Sequence, residues 1–355
     1  MNKKVFWVAP FVFFSLIIAI WTGLLRMGWG MPFTIALVHH GALMVGSFLG
    51  TVIILERVVA LKIKWLYILP VISGASGILF LMDNSRIAVL LLMIASLGLM
   101  ALYIIIISKY KHYYFYVMLF GAFCWFVGNY YLFQQTLYAM SVNWWMAFIL
   151  FTVVGERLEL GKFMPPRKLK LPLFWIAVSI VFLGLVLPYH GIGSVTTGIG
   201  FMAISLWLFR YDIIRKSIKV KGIHRYTAVM LGFGYVWLFI TGALFIVNDL
   251  SVFHYDAVVH TFFIGFTFSM IFAHGPIIFP GVAGFPFKPF HPVLYWLGGL
   301  LQLSLLVRIS ADLLNHVILR KSAGMINGIT ILLFFVTLII LIVIEHKKWK
   351  PFHNK

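Results

Sequence analysis

The sequence predicts an all-α polytopic membrane protein with about twelve transmembrane helices, forming a single transmembrane domain over residues 1–355. Of the 355 residues, 63% are hydrophobic and only 10% are charged, whereas a soluble domain carries roughly a quarter charged residues. Apolar runs of about twenty residues, each long enough to cross a hydrocarbon core of about 30 Å as a helix, recur along the chain. The basic residues are also divided unevenly between the connections, as expected for membrane proteins.

The twelve apolar runs cover nearly the whole chain and leave no stretch for a soluble domain. They are centred near residues 15, 45, 73, 97, 124, 149, 181, 203, 237, 267, 299 and 336. The first run, residues 5–25, has no small-residue cleavage site after it, so we expect a retained helix and not a signal peptide.

The net charge of +19 reflects orientation in the membrane. Of the 28 Lys and Arg residues, only five fall in the odd-numbered connections, namely Arg26, Arg86, Arg308, Arg320 and Lys321. The positive-inside rule therefore predicts that both termini are cytoplasmic. The bilayer is the expected partner of this surface, and a nucleic acid is not.

Three segments with similar ends suggest an internal repeat. Glu56-Arg57 and Glu156-Arg157 are 100 residues apart at the ends of the second and sixth runs, and His274 takes the corresponding place in the tenth. This pattern favours three four-helix units around a central axis, residues 1–112, 113–225 and 226–355. Chance similarity between apolar helices is the alternative.

Four of the twelve histidines lie well inside the runs: His39, His40, His260 and His274. At a rise of about 1.5 Å per residue, the first three share a level in the outer half of the bilayer. On the same rise, His274 lies about 21 Å deeper, level with Glu56. An ionisable residue in this setting is by default a functional candidate.

The outer histidine layer, which has no acidic residue at its centre, admits three interpretations. His39 or His40 with His260 would provide the two neutral imidazoles of a b-type haem, with Arg308, Arg320 and Lys321 available to the propionates. Interhelical hydrogen bonds and a copper site are the alternatives, the latter with Met44 or Met140 as soft ligands. Arg308 also precedes Asp312 by four residues, which favours a plain helix ion pair.

The inner layer also has two interpretations. Glu56 and Glu156 either pair with their neighbouring arginines at the interface, or converge with His274 as a cation or proton site. Cys124, the only cysteine, excludes an intrachain disulfide and a Cys-based metal cluster and is expected to serve packing.

Two helices resemble those of the NnrS family, twelve-span bacterial inner-membrane proteins associated with haem, copper and the response to nitric oxide. The family's His-Ala-His-Glu-Met segment, followed by Phe-Gly, corresponds to "VHHGALMVGSF" here. The family's His-x-x-x-x-Gly segment corresponds to "HTFFIGFTFSM", with His260, Gly265 and Met270. The Glu is absent and His39 and His40 are adjacent, so they point about 100° apart; at most one is expected to face His260, and His40 is favoured.

The layout is also similar to the catalytic subunit of haem-copper oxidases, in which histidines of the second and tenth spans hold a low-spin haem. The sixth and seventh runs here contain no histidine, so the usual oxidase or nitric oxide reductase binuclear centre is not expected. These resemblances imply a haem protein with a role in electron transfer or nitric oxide response, served by a redox partner or a respiratory complex. The alternative function is a proton-coupled or metal transporter using Glu56, Glu156 and His274.

Overall fold

The computed structural model describes residues 5–33, 36–135, 137–164, 167–247 and 251–349, and it confirms the all-α polytopic architecture. Over these residues the regular structure is helical and includes no strand. Eleven of the helices are long and apolar enough to cross a membrane, and one shorter apolar helix completes the twelve predicted segments. In chain order, α1–α12 are Val5–Arg26, Leu37–Leu61, Lys64–Leu81, Ser85–Tyr110, Tyr113–Gln135, Tyr138–Leu160, Lys170–Val186, Ser194–Tyr211, Ile223–Ile246, His254–Ala283, Val293–Leu313 and Val317–Trp349.

Several helices end at a residue in the left-handed region of the backbone. Lys62 follows α2 with φ 59°, Lys111 follows α4 with φ 30°, and Asn315 lies just beyond α11 with φ 55°. A left-handed residue satisfies the last carbonyls of a helix and reverses the chain direction. The connections at these points are therefore short, and helices that follow one another in the chain become antiparallel neighbours.

Two of the helices contain a long π-helical segment, which the sequence did not predict. Leu43–Gly50 lies inside α2, and Thr261–Phe268 lies inside α10; each has eight residues, all of them buried. The π-helix is rare, occurs mostly as single-turn bulges, and is frequent at functional sites. The two segments therefore direct attention to the residues that precede them.

Contacts among the described residues divide the chain into two compact units. Unit 1 comprises Met1–Glu156 and Ile278–Pro286, and unit 2 comprises Arg157–Ile277 and Phe287–Lys355. The division falls inside α6 and α10, away from residues 112 and 225, so the threefold repeat stays a prediction.

In unit 1, α3, α4 and α5 pack in chain order, and the π-helical segment of α2 packs on α1 and α3. Ser47 of this segment hydrogen-bonds Ser76 of α3 at 2.7 Å, and Ser73 donates to the Gly46 carbonyl at 3.0 Å. Small and hydroxylated residues allow close approach between membrane helices and add hydrogen bonds between them. They hold α2 and α3 together here.

In unit 2, α7, α8 and α9 pack in chain order, α11 packs on α12, and the π-helical segment of α10 packs on α9. Helices α8 and α9 approach closely, since a Cβ on Gly198 would lie 2.5 Å from the Gly242 carbonyl oxygen. A buried polar chain joins α9 to α10 through α11. Trp237 donates to Gln302 at 2.6 Å, and Gln302 donates to Ser269 at 3.0 Å.

Candidate functional site

His40 lies in unit 1, three residues before the π-helical segment of α2. Its Nδ1 is 2.6 Å from the Ala19 carbonyl oxygen of α1, and because a carbonyl only accepts, Nδ1 must carry the proton. The ring packs against Gly23, where an added Cβ would lie 2.8 Å from His40 Cε1. A neutral imidazole held in this way has its lone pair on Nε2, the atom that a metal binds.

His39 is held differently from its neighbour. Its Nδ1 is 2.9 Å from the Tyr138 hydroxyl, and its ring lies 4.8 Å from that of Phe80. A hydroxyl both donates and accepts, so this contact does not fix the tautomer of His39. The two histidines thus have different neighbours, as their angular separation on a helix predicts.

His260 lies in unit 2, directly before the π-helical segment of α10. Its Nδ1 is 2.8 Å from the Asp256 carbonyl oxygen and 3.3 Å from the Asp256 carboxylate atom Oδ2. The carbonyl requires Nδ1 to donate, so the lone pair of the neutral ring lies on Nε2. Asp256, one helical turn before His260, is a site residue that the sequence interpretation missed; the four-residue spacing was the available signal.

The Asp256 carboxylate is the centre of an ion-pair network. Its Oδ2 lies 2.9 Å from Arg308 Nη2 and 3.1 Å from Arg320 Nη2. Arg320 Nε also bonds Asp312 Oδ1 at 2.7 Å, and its guanidinium lies 4.3 Å from the centre of the Phe253 ring. Two carboxylates and two guanidiniums cancel in formal charge, which lowers the cost of placing them at low solvent exposure.

This network changes two expectations about the arginines. Arg308 binds Asp256 of α10, whereas Asp312, its expected partner within α11, binds Arg320 of α12. Both arginines predicted to be available to haem propionates are thus already bound to carboxylates. Arg308 keeps one buried donor, Nε, that has no hydrogen-bond partner among the described residues.

The two glutamates of the inner layer meet in unit 1. Arg57 Nη2 binds Glu156 directly and lies 3.5 Å from Glu56 Oε1. The hydroxyl of the buried Tyr103 interacts with the same guanidinium. Two carboxylates around one guanidinium carry a formal charge of −1. The glutamates thus pair with an arginine, and their convergence with His274 stays a prediction.

His274 belongs to unit 2, where its electrostatic neighbour is Arg157. Its Nδ1 is 2.8 Å from the Met270 carbonyl oxygen one turn earlier. Its Nε2 is buried and has no hydrogen-bond partner among the described residues. Arg157 also interacts with Tyr235, which donates a hydrogen bond to Asp212. The two arginines that follow a glutamate in the sequence, Arg57 and Arg157, therefore each lie beside a buried tyrosine.

The structure joins some of the predicted site residues and not others. Arg57 joins Glu56 to Glu156 in unit 1, and Asp256 joins His260 to Arg308 in unit 2. Among the described residues there is no group of three or more His, Cys, Asp or Glu side chains arranged to hold a metal ion. Cys124 is a buried free thiol, Met44 is buried, and Met140 is exposed.

Comparison with known proteins gives a family and no function. No curated protein matches the chain, and no solved structure matches it. A family described as a domain of unknown function, DUF8744, matches residues 4–343. Because the match covers all twelve helices apart from the last few residues of α12, the chain belongs to the DUF8744 family.

Proposed function

We propose that this chain is a haem-binding membrane protein and that His260 and His40 supply imidazole ligands to a b-type haem. One observation carries the proposal. In each unit a histidine donates its Nδ1–H to a backbone carbonyl and precedes a buried π-helical segment, which begins directly after His260 and three residues after His40. Metal-ligating histidines almost always have the other ring nitrogen bound in this way, which fixes the tautomer and orients the ring.

The surroundings of His260 suit an iron ligand. The Asp256 carboxylate beside Nδ1 makes the imidazole a stronger base and hence a better donor to iron. Phe262 and Phe263, which follow it, are buried and give an apolar setting for a porphyrin. The unpartnered Nε–H of Arg308 is a suitable donor for a propionate oxygen.

The resemblance to the NnrS family indicates the role. A bound b-type haem supplies one-electron chemistry, and the associated function is electron transfer or the response to nitric oxide. We propose the bacterial inner membrane as the location, with both termini cytoplasmic. The support is that only five of the 28 Lys and Arg residues fall in the odd-numbered connections, which are predicted to lie on the side opposite the termini. A redox protein or a respiratory complex is the corresponding partner.

The test is an optical spectrum of the purified protein, oxidised and dithionite-reduced, with haem and copper quantified per chain. We expect a sharp reduced α-band that His260→Ala and His40→Ala each abolish. His39→Ala is the matched control and should keep the band, since the contact of His39 with Tyr138 leaves its tautomer open. A colourless wild-type protein after haem-replete expression, or full haem retention in His260→Ala, would contradict the proposal.

A second candidate is a proton-coupled or metal transporter using Glu56, Glu156 and His274. The formal charge of −1 around Arg57 favours it, since an excess carboxylate can take a proton or a cation. The test is uptake by proteoliposomes under an imposed proton gradient, measured for protons and for divalent metals. Glu156→Gln should abolish uptake, whereas Glu345→Gln in the exposed end of α12 should not.

A further inference from the structure

A cavity of about 650 Å³ opens on unit 2 between the end of α8 and the first half of α9. Phe209, Phe233 and Val236 give it an apolar wall, and all three are more than one-third exposed. Arg215 and Lys219, from the connection between the two helices, line the same cavity. The cavity therefore combines an apolar wall with two cations, and we call it the basic groove.

Positive charge dominates this part of the chain. The connection between α8 and α9 also contains Lys216 and Lys221, and its one acid, Asp212, binds Tyr235 and the Ile213 backbone N–H. Within the described ranges, no carboxylate lies within 4.0 Å of Arg215 or Lys219. The groove thus presents two cations that the protein itself does not neutralise.

We propose that the basic groove binds one anionic phospholipid from the surrounding leaflet. The phosphate pairs with Arg215 and Lys219, and an acyl chain lies along Phe209, Phe233 and Val236. The bilayer is the source of the ligand because the apolar wall belongs to helices that span it. Basic pockets between transmembrane helices at the cytoplasmic side are suited to anionic lipid headgroups, and this connection is predicted to be cytoplasmic.

Gly232 of α9 offers a substitution that tests the groove without disturbing the helices. It lines the cavity, and an added Cβ would meet no other atom within 4 Å. A leucine at this position would therefore project into the space of the acyl chain and not into the protein. Because glycine is a poor helix residue, the substitution should not weaken α9.

The experiment is native mass spectrometry of the full chain released from detergent after incubation with phosphatidylglycerol or with phosphatidylethanolamine. We expect one phosphatidylglycerol to be retained by the wild type in preference to the zwitterionic lipid. Arg215→Ala and Lys219→Ala should each weaken retention about fivefold, as expected for one cation near a phosphate, and Gly232→Leu should abolish it. The matched control, Lys216→Ala with Lys221→Ala, removes the same charge as the double variant Arg215→Ala with Lys219→Ala, from the same connection but outside the groove, and should change retention less than twofold.

Two results would overturn the proposal. The first is equal retention of the two lipids by the wild type. The second is a loss in the control variant as large as that in Arg215→Ala with Lys219→Ala, which would indicate general attraction to a basic surface. Gel filtration and thermal unfolding of each variant show whether it is folded, and the folded Gly232→Leu variant decides the question if the charge variants are unstable.

Discussion

Neutralising Asp256 should unbalance the ion-pair network of unit 2. Three nitrogen atoms lie close to its Oδ2, with Arg308 Nη2 at 2.9 Å, Arg320 Nη2 at 3.1 Å and His260 Nδ1 at 3.3 Å. Asp256→Asn keeps the shape of the side chain but leaves the network with a formal charge of +1. Removing one partner of a buried ion pair costs about 3–5 kcal/mol. Because the Asp256 side chain is 23% exposed, we expect the lower end of that range, about 3 kcal/mol.

The assay is equilibrium unfolding in micelles of increasing SDS content, followed by circular dichroism. Glu345→Gln is the control, because Glu345 pairs with Lys348 at 2.7 Å on an exposed surface, where such pairs are worth less than about 1 kcal/mol. Adding Arg308→Gln to Asp256→Asn restores a formal charge of zero and should recover about 1 kcal/mol or more. If Asp256→Asn costs no more than Glu345→Gln, or the double variant recovers nothing, the charge-balance reasoning is wrong.

Three glycine substitutions test the packing. Gly23→Ala should displace the His40 ring, since the new Cβ would lie 2.8 Å from Cε1, and haem content per chain should fall toward that of His40→Ala. Gly50→Ala places a Cβ 2.4 Å from the buried Trp125 ring, so the unfolding free energy should fall by about 1–3 kcal/mol. Gly232→Ala, in open space, should raise it by about 0.5–1 kcal/mol; if the last two changes have the same sign, the packing description fails.

The twelve helices could be predicted because length and hydropathy decide whether a segment spans a bilayer. The short α7, Lys170–Val186, shows where that rule is weakest, since it has only 17 residues. The π-helical segments could not be predicted in this way. A π-turn differs from an α-turn by one residue of hydrogen-bond register, and an apolar sequence such as "TFFIGFTF" has the same hydropathy in both.

The partners of the charged residues were predicted less well than their positions. Arg308 and Asp312 have the spacing of a helix ion pair. Arg308 nevertheless binds an aspartate of α10, and Asp312 binds an arginine of α12. Spacing along one helix gives only the local candidates, whereas the lowest-energy pairing depends on which side chains the neighbouring helices supply. The same limit applies to Arg57 and Arg157, each of which follows a glutamate but has different partners.

The role of His260 as ligand or as structural residue can be separated through Asp256. In either role, Asp256→Asn unbalances Arg308 and Arg320, so a loss of stability does not distinguish the two. If His260 binds iron, however, the loss of the carboxylate also makes its imidazole a weaker donor. A weaker donor stabilises ferric haem less, so the midpoint potential should rise in Asp256→Asn and return in Asp256→Glu. Bound haem with an unchanged potential in a folded Asp256→Asn protein would mean that the imidazole of His260 is not an iron ligand.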